Sequence, residues 1–264
     1  QTWFREKVGI PTDVQRQAWP VIAQGDHLLI SAPTGNGKTL AAFLYGINQF
    51  LEGKVELGAT RILYVSPLKA LNNDIQRNLS NPLEEIKRLF SEAGEFFPDI
   101  KIATRSGDTS QSDRRKMLRR PPEILITTPE SLNIMLTSLG GRSIFGNLCT
   151  VILDEIHSVF DNRRGVLLMS AVERLVDLSG EFQRIGLSAT IKPLDIVAEY
   201  IGGLQYVPSG DVFRHRDVTV VLDETKKKYD LSIFYPDRPE EYDTIWDPLV
   251  VRILDRIAAN ETYK

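Results

Sequence analysis

Residues 32–39 read APTGNGKT, follow a short apolar run at residues 27–32 and precede a helical pattern over residues 40–51. A glycine-rich turn between a buried strand and a helix, closed by Lys and Thr, is typical of a phosphate-binding loop. Two glycines let the backbone bend and bring its N–H groups against phosphate oxygens, and the start of the helix adds favourable partial charge. The first position holds Ala32 where the general motif has glycine, and we expect a small residue to suffice there. The stretch therefore predicts a nucleotide-binding α/β domain.

The residues of this loop have separable predicted roles. Lys38 would neutralise the β and γ phosphates, and the hydroxyl of Thr39 would bind Mg²⁺ together with phosphate oxygens, water and a distant carboxylate. The predicted cofactors are thus ATP and Mg²⁺. The alternative is a glycine-rich turn with an unrelated lysine, which strand, turn and helix in the required order make the weaker interpretation. The predicted nucleotide contacts in the loop are Thr34, Gly35, Asn36, Gly37, Lys38 and Thr39.

Further short apolar runs alternate with helical patterns along the chain. Runs that are apolar throughout are typical of strands buried on both faces, so the predicted fold class is α/β, with a parallel sheet flanked by helices on both faces. Ligands of such a sheet bind at the carboxyl ends of the strands. Besides residues 27–32, the predicted strands are residues 61–66, 100–104, 123–127, 150–154 and 184–188.

Two adjacent carboxylates end one of these strands, where residues 150–157 read TVILDEIH. We expect Asp154 to hold Mg²⁺ through water, and Glu155 to orient and deprotonate the attacking water, so that Glu155 and Lys38 are the predicted catalytic residues. Taken alone, the pair is better explained as an acidic strand end before a capped helix. Its combination with the phosphate-binding loop favours the catalytic interpretation.

Composition limits the kind of partner that these motifs can serve. The chain has 264 residues, 42% of them hydrophobic, and its 32 Lys and Arg nearly balance its 35 Asp and Glu. Because no bulk basicity attracts polyanions, local loops and helix starts must hold any nucleic acid. A single cysteine, Cys149, excludes an intramolecular disulfide, and no apolar run reaches membrane-spanning length. We expect a soluble, cytoplasmic protein without a membrane partner.

The DEIH sequence at residues 154–157 resembles the DExH signature of superfamily 2 helicases, and matches to the other first-lobe motifs stand in the right order. The resemblance implies a RecA-like P-loop NTPase domain. Residues 11–15, PTDVQ, resemble the adenine-reading segment, which implies that Gln15 contacts the base. Three longer strings are most similar to the large helicase-related (Lhr) family: residues 66–79, 121–136 and 154–165.

The same resemblance implies a coupling motif. Residues 188–190, SAT, match the motif that couples hydrolysis to strand movement. The implied coupling residues are Ser188 and Thr190 together with His157. A lone histidine is more often structural, so the role of His157 depends on the resemblance.

Three further segments resemble the loops that track a nucleic-acid backbone in these helicases: residues 66–71, 105–109 and 127–130. Each follows a predicted strand on the rim that carries the phosphate-binding loop, and offers hydroxyls, N–H groups or a cation to phosphates. A helix cap is the alternative role for the Thr of the third segment, and a capped helix end is also a phosphate site. The predicted nucleic-acid contacts are Pro67, Lys69, Arg105, Gly107, Thr128, Pro129 and Glu130.

A cluster of cations invites a nucleic-acid role but has a simpler explanation. The cluster ends a helical run that a proline stops, where positive charge complements the helix dipole. We therefore interpret it as a solvated helix face. Its members are Arg114, Arg115, Lys116, Arg119 and Arg120.

The pattern changes near residues 202–211, where Gly and Pro mark a loop. We predict a first RecA-like domain at residues 1–207, and at residues 208–264 a linker with the opening elements of a truncated second lobe. Within the latter, residues 218–222 and 229–235 could form a strand pair and residues 242–259 a helix. The arginine that a second lobe supplies to the transferring phosphoryl group has no counterpart after the SAT motif. We therefore expect this chain to bind nucleotide, to depend on the second RecA-like lobe of the same chain and to hydrolyse ATP poorly alone.

Several other functions are alternatives to an ATP-driven helicase or translocase. A nucleic-acid-binding scaffold without ATP turnover would keep the fold, but Lys38, Thr39, Asp154 and Glu155 are intact. Another P-loop class, such as a small-molecule kinase or a transporter ATPase, should lack the tracking loops and the SAT motif. The residues do not separate DNA from RNA, which needs contacts to the 2′-hydroxyl or to strand geometry. The Lhr resemblance implies translocation on single-stranded DNA, 3′ to 5′, in repair, and this type of motor is a monomer by default.

Overall fold

The computed structural model describes residues 2–223 and 246–259. The chain divides into two compact units, Gln1–Glu224 and Thr225–Lys264. Within the described part of the first unit, seven parallel strands form one sheet and two antiparallel strands form a hairpin. The strands are β1 His27–Ser31, β2 Ile62–Val65, β3 Ile102–Arg105, β4 Ile124–Thr127, β5 Thr150–Leu153, β6 Gln183–Ser188, β7 Leu204–Val207, β8 Val212–His215 and β9 Val218–Leu222.

The sheet has the order β3-β4-β2-β5-β6-β1-β9, and β7 pairs with β8 in the hairpin. Short 3-10 turns occupy Ile156–Ser158 and Pro208–Gly210. In the first unit the helices are α1 Thr2–Lys7, α2 Asp13–Gln24, α3 Lys38–Leu51, α4 Lys69–Glu92, α5 Gln111–Arg119, α6 Pro129–Met135, α7 Leu139–Ser143, α8 Arg163–Ser179 and α9 Leu194–Gly202. The second unit is described through α10, Trp246–Ala259.

Helices cover both faces of the sheet, which is why the inner strands β1, β2, β4 and β5 are buried along nearly their whole length. Leu63 and Val65 of β2 pack in one hydrophobic cluster with residues of α6, α8 and α9. Ile62 and Tyr64 of the same strand pack in a second cluster with residues of α2, α3 and α4. The predicted α/β fold and all six strands predicted for it are confirmed.

The carboxyl ends of the strands gather the predicted motifs at one edge of the sheet. The phosphate-binding loop follows β1, the three predicted tracking loops follow β2, β3 and β4, the acidic pair follows β5, and the SAT motif follows β6. This arrangement follows from the all-parallel pairing, because parallel strands end on the same side.

The first unit extends beyond the boundary predicted at residue 207. Strand β9 pairs in parallel with β1, with Leu222 in register with Ser31, and it buries Val221. The physical reason is that β1 pairs with β6 on one side only, and β9 satisfies the backbone hydrogen-bonding groups on its other side. The pairing expected with residues 229–235 lies outside the described residues, whereas Trp246–Ala259 is helical as predicted. The stretch predicted as a loop, residues 202–211, contains strand β7. The turn within this stretch lies at Pro208–Gly210.

A buried charge network ties β6 to the segment before β9, at the amino ends of the strands. Arg184 is fully buried and donates to both carboxylate oxygens of Glu173, at 2.7 and 3.0 Å. Arg216 donates in the same way to Glu181, at 2.9 and 2.8 Å, and to the carbonyl oxygen of Gly202 at 2.9 Å. Paired in this way, two guanidinium groups are accommodated in the interior.

Candidate nucleotide and nucleic-acid site

The phosphate-binding loop turns from β1 into α3 through two glycines in the left-handed region. Gly35 has φ 87° and Gly37 has φ 74°, conformations that a residue with a Cβ rarely adopts. The Nζ of Lys38 donates to the carbonyl oxygens of Ala32 and of Pro33, the latter at 2.9 Å. The ammonium group thus lies inside the turn, where the motif requires a cation for phosphate.

The predicted adenine-reading segment packs directly behind this loop. Thr12 caps α2, accepting from the Gln15 backbone N–H at 3.3 Å, while the Gln15 Oε1 accepts from the Thr12 N–H at 3.0 Å. The Gln15 Nε2 donates to the Gly37 carbonyl oxygen at 3.3 Å, and the Thr12 hydroxyl donates to that of Asn36 at 3.1 Å. Gln15 is 1% exposed, so in this arrangement it supports the loop. The T-x-x-Q sequence is the signal that could have predicted the capping box, whereas the contacts with the loop depend on the tertiary fold.

The acidic pair at the end of β5 has two different environments. Asp154 is 6% exposed; its Oδ1 accepts from the Glu155 N–H at 2.8 Å, and its Oδ2 accepts from the hydroxyl of Tyr64. Burial raises the pKa of Asp154, against the lowering effect of the Tyr64 hydrogen bond. Glu155 has φ 51°, a strained conformation that turns the chain sharply after the strand. The role of Tyr64 was not predicted, because within an apolar strand it reads as a core residue.

The site chemistry fits a magnesium ion that arrives with a nucleotide. Among the described residues, no three His, Cys, Asp or Glu side chains cluster closely enough to hold a metal by themselves. A hydroxyl from Thr39 and a buried carboxylate from Asp154 are hard oxygen donors of the kind that Mg²⁺ takes alongside phosphate and water. The loop and the acidic pair follow β1 and β5, which are parallel strands of one sheet, so both lie at the carboxyl ends of the strands. The charge of Lys38 also opposes the rise that burial causes in the pKa of Asp154.

A hydrogen-bonded connection runs from Glu155 to the SAT motif. The Nε2 of His157 lies 3.1 Å from the Oε2 of Glu155, and its Nδ1 accepts from the backbone N–H of Ala189 at 3.1 Å. The Ser188 hydroxyl lies 3.5 Å from the same Nδ1. Thr190 is exposed. The structure therefore brings together His157 and Ser188, as predicted, and adds a hydrogen bond from the Ala189 amide that is shorter than the contact with Ser188.

Side chains and backbone link the three predicted tracking loops. Arg164 donates from Nη2 to the Pro67 carbonyl oxygen and from Nε to Glu130 Oε1, both at 2.8 Å. The Thr127 hydroxyl donates to the Arg105 carbonyl oxygen at 2.8 Å. Although burial opposes it, the hydrogen bond from Arg164 lowers the pKa of Glu130. Glu130 thus helps to hold the loops together through Arg164, a residue to which the sequence analysis assigns no role of its own.

Three other predicted contacts lie where helices begin. Thr128 caps α6 by accepting from the Ser131 N–H at 3.3 Å, and Pro129 is the first residue of the helix. The cap predicted as the alternative role of Thr128 is therefore present, and it leaves the start of α6 at the strand edge. Lys69 opens α4, and its side chain lies outside the described part of the structure.

One cation of the predicted solvated face folds back onto the second tracking loop. Arg114 donates from Nη2 to the Gly107 carbonyl oxygen at 2.8 Å, and it is half-buried. Burial and the nearby charge of Arg114 lower the pKa of Arg105. Arg105 Nη1 and Arg114 Nε are both buried without a hydrogen-bond partner. Two adjacent cations with unsatisfied N–H groups form a site that an anion would complete.

A family model of the DEAD/DEAH box helicases matches residues 12–197. The chain belongs to this family, and the match excludes the small-molecule kinase and transporter readings. The described residues include no helix long and apolar enough to cross a membrane.

Within the family the chain is similar to Lhr helicases. It is 50% identical to the ATP-dependent helicase Lhr-Core protein 2 of Thermococcus barophilus over 205 residues, 76% of this chain and 24% of that protein. It is 41% identical to the Lhr helicase/probable uracil glycosylase of Mycolicibacterium smegmatis, over 98% of this chain and 17% of that protein. The solved structure of the Mycobacterium smegmatis helicase Lhr bound to ssDNA and AMP-PNP matches with a TM-score of 0.80 at 40% identity, over 98% of this chain and 32% of that one. The predicted Lhr resemblance is confirmed, and the chain spans a quarter or less of the length of these curated relatives.

Proposed function

We propose that this chain is the ATP-binding first motor lobe of a DNA helicase or translocase. The observation that carries the proposal is the connection from Glu155 through His157 to Ala189, because it joins the predicted catalytic base to the SAT motif. A scaffold that only bound nucleic acid would have no use for such a connection.

In the nucleotide half of the site, the residues of this chain bind and orient. Lys38, whose Nζ donates to the carbonyl oxygens of Ala32 and Pro33, would pair with the β and γ phosphates when nucleotide binds. Mg²⁺, held by Thr39, Asp154 and phosphate oxygens, would neutralise charge on the transferring group. Glu155, fixed by its strained backbone, accepts a proton from the attacking water.

In the nucleic-acid half, the contacts go to the backbone and not to the bases. The loops after β2, β3 and β4 present cations, hydroxyls and a helix start to phosphates, and Arg164 and Thr127 hold these loops together. Single-stranded DNA is the favoured partner, since the Lhr structure from M. smegmatis holds ssDNA. The structure of Mss116 bound to ssRNA is 21% identical and supports the shared fold alone.

Full ATPase activity would need a second lobe. A closing lobe supplies the arginine that stabilises the transferring phosphoryl group, an effect of about a thousandfold or more. We therefore expect the isolated chain to bind ATP and to turn it over slowly. A monomeric state, a cytoplasmic location and a role in DNA repair stay predictions from the sequence.

The test is steady-state ATP hydrolysis by a chain that also carries the second lobe, with single-stranded DNA, duplex DNA and RNA in parallel. We expect single-stranded DNA to stimulate turnover, and Glu155→Gln to remove the stimulated rate while nucleotide affinity is kept. Glu95→Gln, at an exposed glutamate after α4, is the matched control. Stimulation by RNA alone would overturn the choice of DNA. Intact nucleotide binding without stimulation by any polymer would favour the scaffold.

A further inference from the structure

Asp223 is the residue that follows β9, next to the end of the first compact unit at Glu224. Its backbone N–H donates to the Ser31 carbonyl oxygen at 2.9 Å and so extends the ladder beside β1 by one residue. Because Ser31 ends β1, this contact brings Asp223 to the base of the phosphate-binding loop. No predicted role was given to Asp223, since nothing in its sequence surroundings marks a site.

The carboxylate of Asp223 reaches the loop itself. Its Oδ2 accepts a hydrogen bond from the Nδ2 of Asn36, and the Asn36 carbonyl oxygen accepts from the hydroxyl of Thr12 at 3.1 Å. Asn36 is thus held from two sides, by the cap of α2 and by the end of β9. It stands between Gly35 and Gly37, two residues in the left-handed region with wide backbone freedom.

Ser31, at the end of β1, also contacts the coupling motif at residues 188–190. The Ser31 hydroxyl donates to the Ala189 carbonyl oxygen at 3.3 Å, and the Ala189 N–H donates to His157. Asp223, through Ser31, therefore adjoins the connection that ends at Glu155. A displacement of the chain at Asp223 would act on the phosphate-binding loop and on the SAT motif together.

We propose that Asp223 is a positioning residue of the nucleotide site, whose carboxylate holds Asn36 in place and shapes the loop for phosphate. It does so directly after β9, the strand that pairs with β1. The inference rests on the proposed nucleotide-binding function. Electrostatics alone argues the other way, because a carboxylate beside a polyphosphate should weaken binding. The sign of the effect is therefore diagnostic.

The test is the dissociation constant of a fluorescent ATP analogue with Mg²⁺, measured on this chain. We expect Asp223→Ala and Asn36→Ala each to weaken binding about threefold to tenfold, the range for loss of one hydrogen bond. The double variant should bind the analogue no more weakly than the single variant with the lower affinity, because the two substitutions remove the same contact. Asp223→Asn keeps an acceptor and should stay within about twofold of the wild type. Asp217→Ala, at an exposed aspartate before β9, should have no effect.

Each other outcome has a defined meaning. Unchanged or tighter binding by Asp223→Ala, additive losses in the double variant, or equal losses in Asp217→Ala would overturn the positioning role. Should Asp223→Ala lower the melting temperature, Asn36→Ala and Asp223→Asn still test the contact from its two sides. A wild-type chain that binds no better than Lys38→Ala would refute the proposed nucleotide-binding function itself.

Discussion

The backbone N–H of Ala189 donates a 3.1 Å hydrogen bond to the Nδ1 of His157. An amide donor facing Nδ1 requires an unprotonated nitrogen, so the neutral ring carries its proton on Nε2. Nε2 in turn lies 3.1 Å from the Glu155 carboxylate, to which it donates. The SAT motif therefore fixes the tautomer and orientation of the side chain that contacts the proposed base.

Removal of this side chain should uncouple turnover from nucleic acid. In a chain with the second lobe, we expect His157→Ala to lower the DNA-stimulated rate of ATP hydrolysis about tenfold, the effect of one hydrogen bond to a charged group. Nucleotide affinity should change less than about twofold. His215→Ala, at an exposed histidine of β8, controls for loss of a histidine. Full stimulation in His157→Ala would contradict the proposed connection.

Arg114 should contribute to nucleic-acid binding although the sequence favours a solvated role. We expect Arg114→Ala to weaken binding of a labelled oligo(dT) about tenfold, because it removes one cation from a pair with unsatisfied N–H groups. The slope of log affinity against log salt should fall by about 0.7, the value for one phosphate on a single strand. The measurement is fluorescence anisotropy over a salt series, on a chain with the second lobe. Arg119→Ala is the control, because it also removes one positive charge but at an exposed position. Equal losses of affinity in the two variants would mean that only the net charge matters and would contradict a specific role of Arg114.

The buried pair of Arg184 and Glu173 should dominate the stability of its region. We expect Arg184→Met to lower the free energy of unfolding by about 3 kcal/mol, since it removes the bidentate partner of the Glu173 carboxylate and a donor to the Ile201 and Gly202 carbonyl groups. Arg216 remains as a second donor to Glu173 and Gly202. Urea denaturation followed by circular dichroism measures the change. Arg88→Met breaks an exposed pair with Glu92 and should change stability little. Similar losses in both variants would contradict the role assigned to burial.

His27 should make the fold sensitive to mild acid. Its Nδ1 accepts from the Arg184 N–H at 3.1 Å, and burial followed by the charges of Arg184 and Arg216 lowers its pKa from the ordinary 6.5, against Glu181 and Asp26. Because the folded pKa lies below the unfolded one, the stabilisation is present above about pH 6.5 and is lost as the pH falls towards the folded pKa. We expect a fall in melting temperature between pH 7.5 and pH 5.5 that is smaller in His27→Asn, which keeps an acceptor without titrating.

His215→Asn is the control for that pH series, since this exposed side chain lies outside the buried network. Equal pH dependence of the wild type and His27→Asn would assign the acid sensitivity to other groups.

The sheet could be predicted because its strands carry their own signal. Six strands stand out as short runs of mainly apolar residues, and that pattern does not depend on what they pair with. Strand β9 was misassigned to the following segment because VTVVL fits an edge strand of either unit, and only its pairing with β1 decides between them. The β7–β8 hairpin is exposed, so it lacks the apolar pattern from which strands are inferred.

The candidate site could be predicted only where one local stretch carries the chemistry. Lys38 and Glu155 stand in short motifs with a fixed order of strand, turn and helix. Tyr64, Arg164 and Asp223 reach the site from distant parts of the chain, and each resembles an ordinary core or surface residue in its own surroundings. Such contributions depend on the strand order, which the local pattern does not contain.

The two neighbours of β1 come late in the chain. Residues 27–31 pair with β6 at residues 183–188 and with β9 at residues 218–222, so both sides of this strand close over large sequence separations. Contacts of that kind are formed slowly, after long loops have been ordered. During synthesis the phosphate-binding loop is therefore made early, and the sheet beside it is completed only after β9 has emerged. Nucleotide binding by a nascent chain would report that everything through Leu222 has emerged and folded.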